Sequence, residues 1–282
     1  MKETIAVIGA GTMGRGIAQV FAQAGYTASI YDSFPAAIDS ASSNIAKMLD
    51  KAVEKGKMAA NDAAATKERI RPVKKLADIG KCSLIIEAVI EQPETKIAVL
   101  KEAEAQLADD GILASNTSSI SITQLAAATK HPDRFIGMHF FNPVPLMQLV
   151  EVVRGLQTSD ETAARTIALA KAVGKNPIEC HDRPGFISNR VLMPMINEAV
   201  FCLMEGVATV ESIDGIMKLG MNHPMGPLAL ADLVGLDVCL AIMEVLHRDL
   251  GEDKYRPCPL LRTMVQAGRL GKKTKQGFYR YD

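Results

Sequence analysis

The sequence predicts an α/β protein with a Rossmann-like, doubly wound and mostly parallel sheet, an inserted helical hairpin and a following all-α C-terminal domain. Three observations predict this architecture. A short apolar strand leads directly into a glycine-rich turn and a helix near the start of the chain. Further β-branched runs alternate with helical patterns as far as Cys180, and beyond that point the β-branched runs stop. Alternating strands and helices are typical of a parallel sheet covered by helices.

Composition limits the class of protein. A chain of 282 residues can form two ordinary domains, and 48% hydrophobic with 23% charged residues is typical of a globular protein. Thirty-two basic residues balance thirty-two acidic ones, so nucleic acid is not an expected partner. No apolar run approaches the roughly 18 residues that a membrane span needs. Because Met1-Lys2-Glu3-Thr4 leads straight into a strand, we expect no leader peptide and no membrane partner.

The cysteines indicate a reducing compartment. They are scattered and odd in number: Cys82, Cys180, Cys202, Cys239 and Cys258. Neither a disulfide framework nor a zinc site has this spacing, and the histidines share no ligand spacing. We therefore expect no bound metal and a cytoplasmic location.

The strongest motif is Gly9-Ala10-Gly11-Thr12-Met13-Gly14, which directly follows the strand Thr4–Ile8. Gly9 is expected to form a tight turn, Gly11 to let a pyrophosphate approach the backbone, and Gly14 to let the helix pack on the strand. Thr12 and Met13 open that helix, and its N-terminal N–H groups are expected to bind phosphate.

An acidic residue completes the fingerprint. The second strand, Thr27–Tyr31, ends in Asp32, whose carboxylate would accept hydrogen bonds from the adenosine ribose hydroxyls. A glycine-rich turn that binds nothing is the alternative. Strand, glycine turn, helix, strand and acid occur together here, and the combination predicts NAD as the cofactor.

The segment between Asp32 and the strand near Val73 is too long for a simple crossover, and its apolar spacing predicts two helices that form a hairpin. Lys47, Lys51 and Lys55 recur every fourth residue along one face of the longer helix. Such a line is ordinarily a solvated surface. The alternative is that it binds the phosphates of a large anionic substrate.

Two further regions carry polar residues where strands end. The loop Ser115–Ser119 follows a predicted strand, and there Asn116 and Ser118 are either ligand-binding residues or turn caps. His139 ends another apolar strand, and Glu151 lies among apolar residues of the next. Because a buried carboxylate needs a partner, we expect Glu151 to pair with His139, which would then be a general base.

Arg183-Pro184-Gly185 marks the predicted domain boundary, with one domain at residues 1–184 and a helical one at 185–282. The segments Val191–Met204 and Leu228–Leu246 are apolar over more than one helical face. A domain of this size cannot bury so much apolar surface alone, so we expect a homodimer through it.

The sequence resembles the L-3-hydroxyacyl-CoA dehydrogenase family over essentially the whole chain, and within it the small bacterial 3-hydroxybutyryl-CoA dehydrogenase type. The motifs that carry the resemblance are the glycine fingerprint, Glu87-Ala88-Val89-Ile90-Glu91, Ser115-Asn116-Thr117-Ser118-Ser119, His139-Phe140-Phe141-Asn142-Pro143, Pro184-Gly185-Phe186 with Asn189-Arg190, His223-Pro224-Met225-Gly226-Pro227, and Lys272-Lys273-Thr274 with Gly277-Phe278-Tyr279. The fingerprint is shared with many nucleotide enzymes, whereas the remaining set in this order is specific.

The resemblance implies reversible NAD-linked oxidation of a 3-hydroxyacyl-CoA, its acyl-CoA substrate, to the 3-ketoacyl-CoA. It implies that His139 takes the 3-hydroxyl proton and that Glu151 orients the imidazole. The other implied roles are acyl contact by Ser118 and Asn189, cofactor contact by Glu91, Lys96, Asn116, Ser118, Asn142 and Lys273, and coenzyme A contact by Lys55 with Lys51 beside it.

Two other functions stay open from the sequence. One is an NAD-linked hydroxyacid dehydrogenase of related fold that uses a lysine as base, against which the pair His139 and Glu151 argues. The other is a binding or structural protein that keeps the fold without turnover, as a lens crystallin relative of the family does.

Overall fold

The computed structural model describes residues 3–282, which form two compact units. The first unit ends at Asp182 and the second runs from Arg183 to Asp282. The boundary predicted after Pro184 falls in the same short segment. Met1 and Lys2, on which the expectation of no leader peptide rests in part, lie outside the described residues.

The first unit is built on one sheet. Its strands are β1 (Thr4–Ile8), β2 (Thr27–Tyr31), β3 (Ile70–Val73), β4 (Cys82–Glu87), β5 (Leu107–Ser115), β6 (Phe135–Phe140), β7 (Leu149–Arg154) and β8 (Asn176–His181). They are arranged in the order β3-β2-β1-β4-β5-β6-β7-β8, and every neighbouring pair is parallel except β6 and β7. The prediction of a doubly wound, mostly parallel sheet is confirmed.

The helices of the first unit are α1 (Thr12–Gln23), α2 (Pro35–Glu54), α3 (Ala60–Arg69), α4 (Pro93–Ala103), α5 (Ile122–Ala126) and α6 (Asp160–Ala172). Helices α2 and α3 form the predicted hairpin, with a small core of Ile45, Leu49 and Ala63. Both helices lie in the connection between β2 and β3, as expected of an inserted hairpin. Ser121 caps the N-terminus of helix α5, because its side-chain oxygen accepts a hydrogen bond from the Gln124 N–H.

Strands β1 and β4 lie at the centre of the sheet and are buried on both faces. Ile5, Val7, Leu84 and Ile86 have no exposed surface, and Phe21 of α1 packs in the same core. Burying a side chain of this size stabilises the fold by about 1.5–3 kcal/mol. This two-sided burial is why both strands read as continuous apolar runs in the sequence.

The turn after β6 is held from two sides. The chain reverses through Asn142 and Pro143, whose peptide bond is cis. The buried ammonium of Lys175 donates hydrogen bonds to the carbonyl oxygens of Val144 at 2.5 Å and Met147 at 2.7 Å, and burial lowers the pKa of Lys175. A Cβ on Gly16 of α1 would lie 2.9 Å from the Val144 Cβ. The turn therefore packs directly on the helix that follows the glycine fingerprint.

The second unit is helical, as predicted. Its helices are α7 (Ser188–Met204), α8 (Val210–Gly220), α9 (Pro227–Val234), α10 (Leu236–Leu250) and α11 (Pro259–Gln266). Gly235 separates α9 from α10 with a φ of +104°, which glycine adopts without strain. Helix α11 was not anticipated, although Pro259 in its first turn and the buried Leu261 and Met264 three residues apart are its sequence signals.

Two buried carboxylates hold the C-terminal tail in this unit. Asp232 accepts hydrogen bonds from the N–H groups of Phe278 and Tyr279, both at 2.9 Å, and from the Tyr281 hydroxyl at 3.0 Å. Asp214 accepts from the Tyr279 hydroxyl at 3.0 Å. Burial, together with these carboxylates, raises the pKa of both tyrosines. The Gly277-Phe278-Tyr279 motif is therefore a structural anchor of the second unit.

Across residues 3–282, none of the helices combines the length and the apolar character that crossing a membrane requires.

Candidate active site

The glycine fingerprint forms the expected turn between β1 and α1. Gly9 has a φ of +103°, and a Cβ at this position would lie 2.4 Å from the Ala88 carbonyl oxygen. A Cβ on Gly14 would lie 1.7 Å from the Gly9 carbonyl oxygen, whereas a Cβ on Gly11 would meet nothing within 4 Å. Gly9 and Gly14 are thus required by the protein itself. Gly11 faces open space, which is where a pyrophosphate would approach the backbone.

The start of α1 suits an anion. Gly11 is the N-cap residue and no side chain caps the helix there. The N–H groups at the first turn, which includes Thr12 and Met13, have no partner within the helix and carry a partial positive charge. Phosphate binding at such a position follows from both properties.

Asp32 lies at the end of β2 beside a cleft of about 360 Å³. Its carboxylate accepts hydrogen bonds from the N–H groups of Ala10 at 2.7 Å and Phe34 at 2.9 Å, which fix the side chain in position. The cleft is bounded by the ends of β1, β2 and β4 and by α4, with Gly9, Gly11, Asp32, Val89 and Thr95 among its lining residues. A ribose in this cleft can donate to the second lone pair of each carboxylate oxygen. The residues present therefore fit the adenosine half of a dinucleotide.

His139 and Glu151 are brought together by the antiparallel pairing of β6 with β7. The two residues face each other in register, with His139 Nδ1 2.7 Å from Glu151 Oε2. Both are buried, at 8% and 3% exposure, and the Phe141 ring lies against the imidazole with ring centres 4.6 Å apart. With Nδ1–H donating to the carboxylate, Nε2 carries the lone pair and is the basic nitrogen. Such an arrangement is chemically able to act as a general base oriented by an acid.

Glu91 organises the loop that contains Ser118. Its Oε1 accepts from the hydroxyl of Thr117 at 2.6 Å, from the N–H of Ser118 at 2.8 Å, and from the N–H of Ser119 at 3.0 Å. The serine hydroxyls of 118 and 119 also donate to it. Partial burial opposes ionisation, but the Lys96 ammonium and these hydrogen bonds outweigh it and hold the pKa of Glu91 below its ordinary value. The carboxylate is therefore ionised at neutral pH.

Lys96 forms ion pairs with two carboxylates at the site, those of Glu87 and Glu91. Its ammonium lies 2.8 Å from Glu87 Oε1 and 3.1 Å from Glu91 Oε2, and the side chain is 1% exposed. Direct contact between Lys96 and the cofactor stays a prediction. The sequence identifies Glu87 only as part of a family motif, and its pairing with Lys96 was not predicted. The sequence feature that could have indicated this pairing is an acidic residue at the end of an otherwise apolar strand, because a buried carboxylate requires a partner.

Asn116 and Asn142 flank His139 in the structure. The Asn116 Oδ1 accepts a hydrogen bond of 2.9 Å from the Phe140 N–H, so Asn116 ties the loop after β5 to β6. Asn142 is exposed in the turn after β6. The structure thus brings Glu91, Asn116, Ser118, His139 and Glu151 to the ends of neighbouring strands of one sheet.

The other predicted residues lie apart from this group or in the second unit. Lys51 and Lys55 are exposed at the end of α2. In the second unit Asn189 is buried in the first turn of α7, and Lys273 forms an ion pair with Asp237 at 2.5 Å. Between residues 3 and 282, no three His, Cys, Asp or Glu side chains are grouped as metal ligands would be.

The Rossmann-like unit, its cofactor turn and the helical unit together define an NAD-dependent dehydrogenase. Residues 4–183 match the model of the 3-hydroxyacyl-CoA dehydrogenase NAD binding domain, and residues 185–281 match the model of the 3-hydroxyacyl-CoA dehydrogenase C-terminal domain. The chain belongs to the 3-hydroxyacyl-CoA dehydrogenase family.

Individual relatives agree with this assignment over the full length. A probable 3-hydroxybutyryl-CoA dehydrogenase of Deinococcus radiodurans is 58% identical, over 98% of this chain and 99% of the relative. The 3-hydroxybutyryl-CoA dehydrogenase of Bradyrhizobium diazoefficiens is 50% identical, over 98% of this chain and 94% of the relative. The crystal structure of (S)-3-hydroxybutyryl-CoA dehydrogenase from Ralstonia eutropha superimposes with a TM-score of 0.97 at 50% identity and covers 100% of both chains.

Proposed function

We propose that this protein catalyses the reversible, NAD-dependent oxidation of an (S)-3-hydroxyacyl-CoA to the 3-ketoacyl-CoA, with the short-chain substrate 3-hydroxybutyryl-CoA and its product acetoacetyl-CoA as the preferred pair. NAD, when bound, accepts the hydride from C3. The chain itself supplies a base for the 3-hydroxyl proton, a site for the acyl head and the binding surface for both molecules.

The observation that carries this proposal is the buried contact between His139 Nδ1 and Glu151 Oε2. As the hydroxyl becomes a carbonyl, its proton passes to His139 Nε2, and the neighbouring carboxylate stabilises the imidazolium that forms. In the reverse direction the same nitrogen returns the proton. The Glu151 carboxylate and the Phe141 ring, which both contact the imidazole, support this role.

Ser118 and Asn189 are the residues we assign to the acyl head. Glu91 supports the assignment of Ser118, because it accepts from both the N–H and the hydroxyl of that serine and so fixes its position. Asn189 is assigned from the family motif Asn189-Arg190.

The direct test is to incubate the purified protein with acetoacetyl-CoA and NADH and follow loss of NADH absorbance. We expect turnover with acetoacetyl-CoA and much slower turnover with free acetoacetate, which lacks coenzyme A. Binding of NADH without turnover would instead support a protein that keeps the fold for another purpose. Comparing acyl chains of increasing length would then measure the preference for the short substrate.

Asp32 is expected to select NAD over NADP. A 2′-phosphate would lie against its carboxylate, and the residues that follow, Ser33, Phe34 and Pro35, offer no positive charge. Replacing Asp32 with serine and Ser33 with arginine removes the repulsion and adds a phosphate ligand. We expect the ratio of kcat/KM for NADPH to that for NADH to rise about 100-fold, which corresponds to about 2.7 kcal/mol. Ser33→Arg alone, which keeps the repulsion, should change the ratio much less, and equal use of both cofactors by the wild type would contradict this prediction.

The lysines on α2 are expected to bind coenzyme A without contributing to the chemical step. Replacing Lys51 and Lys55 with glutamine removes a charge interaction that stabilises the bound substrate and the transition state equally. KM for the thioester should therefore rise by roughly tenfold while kcat stays near its original value. A truncated pantetheine substrate, which lacks the nucleotide phosphates, should not respond. Lys101→Gln with Lys130→Gln is the matched control, since both are exposed lysines outside the hairpin. Equal losses with the full and truncated substrates would mean that the lysines are structural.

The helical unit is expected to form a homodimer. It exposes large apolar side chains on several helices, among them Val191, Ile216, Leu219, Leu233 and Val238. Exposed apolar surface of this extent favours association. Light scattering at micromolar concentration should give twice the mass of the chain, and a monomeric mass that persists on concentration would count against the dimer.

We also propose that the protein works in the cytoplasm. All five cysteines lie in the described part of the chain and are unpaired, and four of them are buried. Burial raises the pKa of Cys82 to about 11 and that of Cys180 to about 12, which leaves both thiols unreactive. Free thiols of this kind fit a reducing compartment.

A further inference from the structure

Glu87 is a carboxylate with no solvent exposure at the end of the central strand β4. Both of its oxygens are used. Oε1 accepts from the Val89 N–H at 2.6 Å and from the Lys96 ammonium at 2.8 Å, and Oε2 accepts from the Ser115 hydroxyl at 2.6 Å. Ser115 is also its register partner on β5. Glu87 therefore connects the loop after β4 to the end of β5.

Glu87, Lys96 and Glu91 form a continuous ionic group. The Lys96 ammonium lies between the two carboxylates, and Glu91 extends the group to the backbone and hydroxyls of the Ser118 loop. Two carboxylates and one ammonium give the group one net negative charge. Removing either partner of the buried pair would leave a buried charge without compensation, so the three side chains act as a unit.

The order of the strands places this group along the path of the cofactor. Asp32 directly follows β2, Glu87 ends β4 and His139 lies in β6, and the sheet order is β2-β1-β4-β5-β6 in this region. A dinucleotide with its adenosine at Asp32 and its reactive ring near His139 must cross the ends of β1, β4 and β5. The ring end of that path is the Ser118 loop, which Glu91 organises.

We infer that Glu87 is a positioning residue which, through Lys96 and Glu91, places one net negative charge beside the nicotinamide ring and so favours binding of NAD⁺ over NADH. This inference rests on the proposed function. Its physical basis is that the ring is positively charged in NAD⁺ and neutral in NADH, so a fixed negative charge stabilises the oxidised form alone. Glu87 and Lys96 are buried and Glu91 is about one-third exposed, so solvent screens the charge of the group less than that of a fully exposed residue.

The test uses two isosteric or near-isosteric variants that change the net charge in opposite directions. Glu87→Gln makes the group neutral, and Lys96→Gln makes it doubly negative while keeping an amide that can donate to the neighbouring carboxylates. In a medium of effective dielectric about 20, a unit charge changes such an equilibrium by roughly tenfold even when it lies about 12 Å away. We therefore expect the ratio of Kd for NAD⁺ to Kd for NADH, measured by calorimetry on the full chain, to rise by roughly tenfold in Glu87→Gln and to fall in Lys96→Gln.

Glu104→Gln is the matched control. The Glu104 carboxylate also accepts backbone N–H groups, from Lys130 and His131, and the substitution makes the same change in the charge of the chain at a position between α4 and β5. Its affinity ratio should equal that of the wild type. Thermal melting identifies variants that are folded, and if one charge variant does not fold, the sign of the shift in the other decides.

An unchanged ratio in the folded variants, or a shift in the same direction in both, would overturn the inference, because a purely structural role predicts no dependence on the sign of the charge. Ser115→Ala removes the hydrogen bond to Oε2 without changing charge and should leave the ratio unaltered. A wild-type protein that binds neither NAD⁺ nor NADH would overturn the proposed function instead. The two failures are thus distinguishable.

Discussion

Replacing His139 with alanine is expected to lower kcat by about 10²–10⁴ while NADH still binds, because a positioned general base contributes a factor of this size. Alanine keeps the backbone pairing of β6 with β7, but it removes the imidazole partner of the buried Glu151, so thermal melting must confirm that the variant is folded. Stopped-flow or steady-state loss of NADH absorbance with acetoacetyl-CoA measures kcat, and calorimetry with NADH checks that the cofactor site is intact.

Glu151→Gln separates the charge of the acid from its shape. The amide keeps the size of the side chain and an oxygen that can accept from His139 Nδ1–H, but it no longer stabilises the imidazolium. An opposite charge at this range shifts such an equilibrium by about one to two powers of ten, so kcat should fall by roughly 10–100-fold.

The double variant tests whether the two residues act together. Once His139 is absent, Glu151 has no imidazole to orient, so the double variant should be scarcely slower than His139→Ala alone. Losses that multiply in the double variant would mean that Glu151 acts elsewhere, for example only in supporting β7. Turnover near the wild-type value in His139→Ala would remove the proposed mechanism altogether.

Two alanine substitutions in the fingerprint are expected to differ in their effect on stability. A methyl group on Gly14 would lie 1.7 Å from the Gly9 carbonyl oxygen, so the backbone of the turn or of α1 must move. We expect Gly14→Ala to lower stability by about 3 kcal/mol, the upper end for overpacking, with a fall in Tm of about 6–12 °C. The displaced turn should also lose affinity for NADH.

Gly11→Ala is the matched comparison, because the same methyl group there meets no protein atom within 4 Å. Its Tm should stay near that of the wild type, within about 0.5 kcal/mol of stability. Kd for NADH should nevertheless rise by about 100-fold or more, since the methyl occupies the space through which the pyrophosphate approaches the backbone. If Gly11→Ala bound NADH normally, the turn would not be the phosphate site.

The parts of the site that could be read from the sequence are those whose geometry is local. The fingerprint is a strand, a turn and a helix in direct succession, so the spacing of Gly9, Gly11 and Gly14 already defines the turn. The pairing of His139 with Glu151 could also be anticipated, because two consecutive strands joined by a short turn bring residues near their ends together. Family resemblance added the substrate class, which no local pattern specified.

Other features depend on contacts between elements far apart in the chain. Lys175 binds the carbonyl oxygens of a turn 31 and 28 residues earlier, and Asp232 binds the tail 46 and 47 residues later. Glu87 reaches Ser115 across 28 residues. In each case a buried charge requires a partner. The sequence indicates that the charge is buried but does not identify the partner, because apolar periodicity predicts which face of an element is buried and not which element packs against it.

Glu87 and Gly277 illustrate the difference most clearly. Both occur in motifs that identify the family, yet the sequence assigns them no contact. The folded chain places Glu87 Oε1 on Lys96, and it leaves no room for a side chain at Gly277, where a Cβ would lie 1.9 Å from Asp232 Oδ1. Strand, turn and helix patterns extend over only a few consecutive residues, so they can be predicted from the sequence. The hydrogen bonds that satisfy buried charges form only when the sheet and the helices have assembled, and those contacts belong to the three-dimensional fold.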